Sequence, residues 1–287
     1  MATITTETRR VPLRRRDPGR YALLVALGLL AVMMLLPFGI VTMNALKTPA
    51  EYSAGGPLAL PQGFHLDGLV TFWERVDFGQ KLFNSALISG SVAVIAVLLS
   101  LFNAYALGIG RVRGRVTLLV VFLMANTLPQ EALVYPLFHL SKQVGLYDTR
   151  LSVIIVFSVI QSAFGTYLLS SVLASFPREV VEAAKVDGAN KWQVLWRVVV
   201  PMSRPTLGVL MVFFFIWTWN EFFLPLVMLI SNDNQTVSVA LGVLQGQRMM
   251  DATMTNASAL LGVLPAVVFF LLFQRTLTRG IAAGAVK

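Results

Sequence analysis

Six apolar stretches, each long enough to cross a lipid bilayer, constrain the fold of this chain more than any other feature of its sequence. A membrane-spanning helix needs about 20 mainly apolar residues to cross a hydrocarbon core of about 30 Å. Stretches that qualify cover residues 21–43, 83–107, 116–140, 151–173, 207–230 and 257–277. The sequence therefore predicts an all-α polytopic membrane protein with six transmembrane helices, and it excludes a soluble enzyme.

The composition supports a lipid-embedded chain and argues against several kinds of site. Charged residues make up 13% of the chain, compared with about 25% in ordinary globular domains. Cysteine is absent, so disulfides and cysteine metal sites are excluded. His65 and His139, the two histidines, lie far apart in sequence, and we expect no metal site. The net charge is +9, but the arginines cluster beside the spans and do not form a basic surface, so we expect no nucleic-acid partner.

The positive charges predict the orientation of the chain. Seventeen of the 23 lysine and arginine residues lie before the first span, in the second and fourth loops, and at the carboxyl-terminal end. By the positive-inside rule, both termini are then cytoplasmic. The first span is too long for a signal-peptide core and is expected to stay as an anchor. The predicted organisation is a basic cytoplasmic segment 1–20, a membrane domain 21–277 and a cytoplasmic tail 278–287.

Polar and small residues recur inside two of the spans. The fourth span carries hydroxyl residues at every fourth position, which a helix places in one row: Ser158, Ser162, Thr166 and Ser170. The second span carries two rows of small residues, which let helices approach closely: Ser85, Ser89 and Ala93, and Ala86 and Gly90. Helix packing explains these rows, and so does a solute pathway; the sequence leaves both open.

Two carboxylates, Glu131 and Glu221, lie within predicted spans. An ionisable group inside the membrane is costly and marks a functional site by default. Glu131 follows Pro129, which is expected to break the third span. Each carboxylate either has a gating or pathway role or lies at a solvated interface. An ion-coupled secondary transporter that titrates both groups is the alternative function.

The predicted cytoplasmic loop 174–206 reads as two short helices. Pro177 is suited to the first turn of one helix, and Gly188 is suited to its end. Asn190 can cap the start of the next helix, and Pro201 is expected to end that helix. Two apolar faces are predicted: Val180 with Ala184 on the first helix, and Trp192, Leu195, Trp196 and Val199 on the second. The loop either seats in the groove of a partner protein or packs on its own bundle.

No lysine in the chain is preceded by glycine, so the chain lacks the phosphate-binding loop of ATPases. Whatever energy source the protein uses, we expect that it does not hydrolyse ATP itself. This chain itself is expected not to be an enzyme and to bind no cofactor.

The same loop resembles the EAA loop of the permeases of ABC importers. It contains Glu-Ala-Ala-x-x-Asp-Gly-Ala at residues 182–189, and a proline follows thirteen residues after the glycine. The matching residues are Glu182, Ala183, Ala184, Asp187, Gly188, Ala189 and Pro201. Other segments resemble the carbohydrate-importer permeases of the MalG type: residues 84–85, 104–107, 145–149, 219–222, which include Asn220, and 284–287. Ala163 departs from that pattern, because relatives often carry proline there.

The resemblance implies a type I ABC-importer permease fold (MetI/MalG-like) in a bacterial cytoplasmic (inner) membrane. It implies a permease subunit of an ATP-driven, binding-protein-dependent importer of sugars, with di- or oligosaccharides as the expected solute. Expected partners are a second homologous permease (MalF-like), two ATPase subunits that bind ATP and magnesium, an extracytoplasmic solute-binding protein, and membrane lipid. Glu182 would face a basic group of the ATPase, and Gly188 would permit the turn.

The resemblance also assigns roles to two other segments. The residues expected to face the binding protein and help release solute are Asn232, Asp233, Asn234 and Gln235. The alternative is a solvated turn. The residues expected to contact the ATPase pair are Gly284, Val286 and Lys287, although the composition of this tail predicts disorder.

Overall fold

The structure, a computed structural model, describes residues 18–110, 112–246 and 251–285, and every regular element in these ranges is helical. A π-helical turn, Leu195–Val199, joins α9 to α10, and a 3₁₀ turn, Asn232–Asn234, lies between α11 and α12. The α-helices are α1 (Pro18–Ala45), α2 (Pro49–Gly55), α3 (Asp67–Arg75), α4 (Phe78–Gly108), α5 (Arg115–Thr127), α6 (Gln130–Gln143), α7 (Arg150–Ala174), α8 (Arg178–Val186), α9 (Lys191–Val194), α10 (Val200–Asn220), α11 (Phe223–Met228), α12 (Val237–Gly246) and α13 (Ala252–Ala285).

Five helices in the described ranges are long and apolar enough to cross a membrane. They are α1, α4, α7, the continuous helix of α9 and α10, and α13. The pair α5 and α6 makes a sixth crossing if the two are counted as one span. The prediction of an all-α polytopic membrane protein is confirmed.

The third span is not the single helix 116–140 that hydropathy predicts. α5 ends at Thr127, α6 begins at Gln130, and the two helices are bent by 94°. Pro129 has no N–H to donate, and it disfavours the helical conformation at the residue before it. Leu128 accordingly adopts extended angles, with φ −69° and ψ 127°. The predicted break at Pro129 is confirmed.

The fifth span begins earlier and ends earlier than the predicted range 207–230. Its helix runs continuously from Lys191 to Asn220, so the prediction that Pro201 stops the run is wrong. Pro201 follows the π-turn, whose wider bonding joins the Val200 N–H to the Leu195 carbonyl. A helix tolerates proline there because the bonding register has already shifted. At the other end, Pro225 cannot donate to the Glu221 carbonyl, and the chain becomes extended at Glu221.

α4 lies at the centre of the bundle and packs against α7 along most of its length, and also against α10. Of the two small-residue rows on α4, the row Ser85, Ser89 and Ala93 is buried. A methyl group at Gly90 would meet nothing within 4 Å, so the second row makes no close helix contact there. α7 continues without a break through Ala163.

α1 and α13 pack together at the edge of the bundle. Gly68 of α3 lies beside both Ala45 at the end of α1 and Ala257 near the start of α13, so the two helices run antiparallel. The apolar side chains of α1 from Tyr21 onward are mostly exposed in the isolated chain. Such a surface is suited to lipid or to another membrane helix.

Candidate coupling site and solute pathway

The turn at Gly188 joins α8 to α9 and forms a compact elbow, which we define as residues 178–194. Gly188 has φ +81°, a left-handed conformation that favours glycine. The Ala189 N–H donates to the Ala184 carbonyl at 3.0 Å, and the Gly188 N–H donates to the Lys185 carbonyl at 3.0 Å. This pattern is the Schellman motif of helix ends. The predicted turn at Gly188 is confirmed, and so is the short first helix, but the second helix is not short, because it continues through α10 to Asn220.

A capping box starts the second helix of the elbow. The Gln193 N–H donates to Asn190 Oδ1 at 2.9 Å, and the Asn190 N–H donates to Gln193 Oε1 at 2.8 Å. Each bond satisfies a backbone donor that the first helical turn would otherwise leave unpaired. The elbow angle is therefore held from both sides of Gly188 by local hydrogen bonds.

The elbow and the turn that follows it pack on the bundle through some residues that periodicity selected and some that it did not. Val181 is buried, whereas the predicted face residue Val180 is 41% exposed. Val194, Leu195 and Val199 are buried in the same cluster as residues of α4, α7 and α10. Trp192 and Trp196, predicted on the apolar face, are 61% and 45% exposed, and each contacts the Phe102 ring edge-on. Of the four residues predicted on the second apolar face, Leu195 and Val199 are buried as expected, whereas the two tryptophans are not.

The other side of the elbow faces solvent and carries the EAA residues. Glu182, Ala183, Asp187 and Gly188 are exposed, and Ala184 and Ala189 are partly buried against the bundle. In the described ranges, the Glu182 carboxylate has no hydrogen-bond or ion-pair partner. It lies beside a cavity of about 300 Å³ that Lys185 and Arg115 also line. Glu182 is thus free to contact a cationic group of another protein.

The hydroxyl row of α7 lies inside the contact between α7 and α4. All four members are buried. The Ser100 hydroxyl donates to the Ser162 carbonyl at 3.2 Å, and the Asn103 amide donates to Thr166 Oγ1 at 3.3 Å. Among the residues described, the hydroxyl oxygens of Ser158 and Ser170 have no hydrogen-bond partner. In the isolated chain, this row packs one helix against another.

The two carboxylates of the predicted pathway lie at helix breaks. Glu131 is exposed in the first turn of α6, directly after the break at Pro129. Glu221 lies between α10 and α11 and accepts a hydrogen bond from the Phe223 N–H at 3.3 Å. Asn220 is exposed beside it, and its amide donates to the Ile216 carbonyl at 2.8 Å. The structure does not bring Glu131 and Glu221 into one cluster.

The segment 231–235 is held firmly at the end of the bundle opposite the elbow. The Asn84 amide donates to the carbonyls of Asp233 and Gln235 at 2.7 and 2.9 Å, and the Lys81 ammonium donates to the Asn232 carbonyl. The Asn232 and Asp233 side chains remain exposed, and those of Asn234 and Gln235 are partly buried. The backbone is thus fixed, while two polar side chains point outward.

Asp148 is a second anchor of this segment. Its carboxylate accepts hydrogen bonds from the Ser231 N–H at 3.0 Å and from the Ser231 hydroxyl, and its carbonyl accepts from the Asn234 amide at 2.6 Å. Partial burial raises the pKa of Asp148, but the hydrogen bonds from Ser231, Asn234 and Ile230 outweigh it and leave the pKa below its ordinary value.

Sequence reasoning missed Asp148 and Lys81 as structural residues. Asp148 lies in the segment 145–149 and Asn84 in the segment 84–85. Both segments match the permease pattern, but the pattern gives neither residue a role. The left-handed backbone at Asp148, with φ 58°, allows its carboxylate to reach across to Ser231. The sequence signal that could have identified Asp148 is a charged residue directly after a glycine-containing turn, at the end of a span.

The predicted ATPase contacts at the carboxyl terminus are only partly described. Gly284 belongs to α13, which continues to Ala285 beyond the predicted span end at 277. The expectation of disorder from composition is therefore wrong as far as residue 285. Val286 and Lys287 lie outside the described residues.

Taken together, the apolar helices, the helix breaks and the exposed elbow define a multi-pass helical membrane transport protein. The chain belongs to the family of binding-protein-dependent transport system inner membrane components, whose model matches residues 96–281. It is therefore a multi-pass protein of the inner membrane.

Individual relatives match over nearly the whole chain. The inner membrane ABC transporter permease protein YcjP of Escherichia coli K12 is 30% identical over 95% of this chain and 98% of its own length. The lactose transport system permease protein LacG of Rhizobium radiobacter is 28% identical over 99% of this chain and all of its own length. A solved bacterial ABC transporter involved in the import of the acidic polysaccharide alginate has the same fold, with a TM-score of 0.79 and 22% identity. That match covers 92% of this chain and 99% of the solved chain.

Proposed function

We propose that this chain is a permease subunit of an ATP-driven, binding-protein-dependent importer of sugars, with di- or oligosaccharides as the expected solute. In this proposal, a second homologous permease, two ATPase subunits and an extracytoplasmic solute-binding protein complete the complex. ATP and magnesium bind to the ATPase subunits. Both termini and the elbow lie on the cytoplasmic side. Relatives such as the lactose transport system permease protein LacG support the solute class.

The exposed EAA side of the elbow is the observation that carries the proposal. Glu182 is exposed and has no partner in the described ranges, while the neighbouring Val181 is buried in the bundle. A short rigid element of this kind can transmit force, because one side is fixed to the transport helices and the other is free to dock. Since α9 continues into α10, displacement of the elbow moves a transmembrane helix directly.

Reversal of charge at Glu182 tests the proposal. The complex carrying Glu182→Lys should lose ATPase docking, because removing one partner of a close interfacial charge pair costs about 2–5 kcal/mol. Uptake into proteoliposomes and solute-stimulated ATP hydrolysis should both fall at least about tenfold. The matched control is Glu74→Lys, which makes the same charge change at an exposed position of α3 near the opposite end of the bundle.

The ion-coupled secondary transporter with Glu131 and Glu221 as titrating groups is not favoured, because the relatives are ABC transporter permeases. The two functions predict different energy sources. Full uptake without ATP, driven by a proton or sodium gradient and lost in Glu131→Gln, would establish the secondary transporter. Unchanged ATPase coupling in Glu182→Lys would separately remove the proposed role of the elbow.

A further inference from the structure

A cavity of about 480 Å³ opens at the break between α5 and α6. We call it the break cavity, and its walls also include residues of α4, α7 and α10. Its volume falls within the range of about 300–1,000 Å³ typical of small-molecule sites. The lining is mainly aliphatic, with a few polar groups among them, which is the usual composition of such sites.

Three amide side chains supply polar groups to the break cavity: Asn103, Asn126 and Gln130. The Asn103 amide nitrogen donates to Thr166 Oγ1, and the Asn126 amide nitrogen donates to the Phe122 carbonyl at 2.8 Å. Among the residues described, their Oδ1 atoms and the whole Gln130 amide have no hydrogen-bond partner. These groups offer acceptors and donors, the complement that sugar hydroxyls require.

Two aromatic side chains, Trp217 and Phe122, complete the lining. An aromatic ring provides a flat apolar surface that can contact the C–H face of a pyranose ring. Trp217 also lines an adjoining cavity of about 320 Å³, together with Asn220 and Glu221. The two cavities therefore share one indole ring along the side of α10.

The helix break is an independent sign of a solute site. Leu128 and Gln130 flank the break, and both line the cavity. Irregular backbone at membrane depth is tolerated where it lines a cavity, and solute sites of transporters are commonly built at discontinuous helices. Helix packing alone gives no reason for a 94° bend whose two ends meet at a cavity with unpaired amides.

From this combination we infer that the break cavity is a saccharide-contact site on this chain, selective for uncharged sugar units. The described lining residues carry no charged side chain, so a uronate would lose hydration without gaining a cationic partner. Asn103, Asn126 and Gln130 bind hydroxyl groups, and Trp217 contacts the apolar face of the ring. The inference rests on the proposed sugar-import function and adds the location and the charge of the solute.

Substitution of Gln130 by leucine tests the contact. The complete complex is reconstituted in proteoliposomes and given lactose, maltose, melibiose or diacetylchitobiose with its binding protein. Gln130→Leu should lower kcat/KM for uptake about three- to tenfold, as expected for one neutral hydrogen bond. Gln143→Leu is the matched control, because it makes the same change at an exposed position of the same helix, outside the cavity.

Thiol protection gives a readout that a general loss of folding cannot produce. Because the chain has no cysteine, Gln130→Cys introduces a single thiol. The sugar that is transported should slow its modification by a methanethiosulfonate reagent at least about threefold, whereas Gln143→Cys should react at an unchanged rate. Equal behaviour of the two variants in both assays would overturn the inference while sugar uptake by the unmodified complex continued.

Failure of the proposed function gives a different result. In that case the unmodified complex would take up none of the four sugars with ATP. A complex that transported a uronate oligosaccharide as fast as lactose, with protection of Gln130→Cys, would overturn the charge selectivity. Uptake of lactose together with protection by lactose supports the inference.

Discussion

At Gly165, where α7 meets α4 and α10, the helices lie so close together that a single methyl group can test the packing. A Cβ atom built on Gly165 would lie 2.2 Å from Ser100 Oγ, 2.8 Å from Ser100 Cβ and 2.9 Å from Phe214 Cζ. Rotation of the Ser100 hydroxyl relieves the first contact. It cannot relieve the second, because Ser100 Cβ is attached to the backbone of α4.

Gly165→Ala should therefore destabilise the bundle. Overpacking of this kind costs about 1–3 kcal/mol, and the higher helix propensity of alanine returns at most about 1 kcal/mol. The expected net loss is about 1–2 kcal/mol, which corresponds to a fall of about 2–8 °C in the melting temperature for a chain of this size. Thermal unfolding of the purified complex, followed by loss of soluble protein, measures it.

Two further variants make the packing argument specific. Gly90→Ala, where the new methyl group meets nothing within 4 Å, should leave the melting temperature unchanged or slightly raised. The double variant Gly165→Ala with Ser100→Gly removes the two Ser100 contacts and should recover part of the loss. If Gly165→Ala melted at the temperature of Gly90→Ala, the close approach of α4 and α7 at this point would be refuted.

Four other variants probe the elbow and the opposite loop. Asp148→Asn should cost about 1 kcal/mol at pH 7, a value reduced for its partial exposure. The pKa of Asp148 in the folded protein is lowered from 3.8. The stabilisation by the ionised carboxylate is therefore present above about pH 4 and is lost as the pH falls through the folded pKa. The melting temperatures of the wild type and Asp148→Asn should converge in acid. Gly188→Ala should cost about 1–2 kcal/mol, because alanine is strained in a left-handed conformation, and Gly188→Asn should cost less. Uptake should therefore fall more in Gly188→Ala than in Gly188→Asn. Asn190→Ala removes the capping box and should cost about 1 kcal/mol, measured as faster hydrogen exchange in α9 and not in α8.

Local chemistry made several features predictable from sequence. Span length and hydropathy identified the membrane class, since a bilayer of fixed thickness requires a fixed number of apolar residues. Gly188 and Asn190 predicted the elbow turn, because a left-handed position and a helix cap each depend on one or two residues. Pro129 predicted a break for the same local reason, whereas the 94° angle between α5 and α6 is visible only in the tertiary structure.

The sequence by itself determined that the chain is a helical membrane protein with an EAA elbow, because hydropathy, caps and breaks depend on neighbouring residues. Only the tertiary structure decided which small residues lie at close contacts: Gly165 does, whereas Gly90, which belongs to a predicted small-residue row, does not. It also decided that Val181 faces the bundle in place of Val180, and that Asp148 anchors Ser231. These outcomes depend on the phase and approach of helices distant in sequence, and the spacing of residues along one helix contains no information about its neighbour.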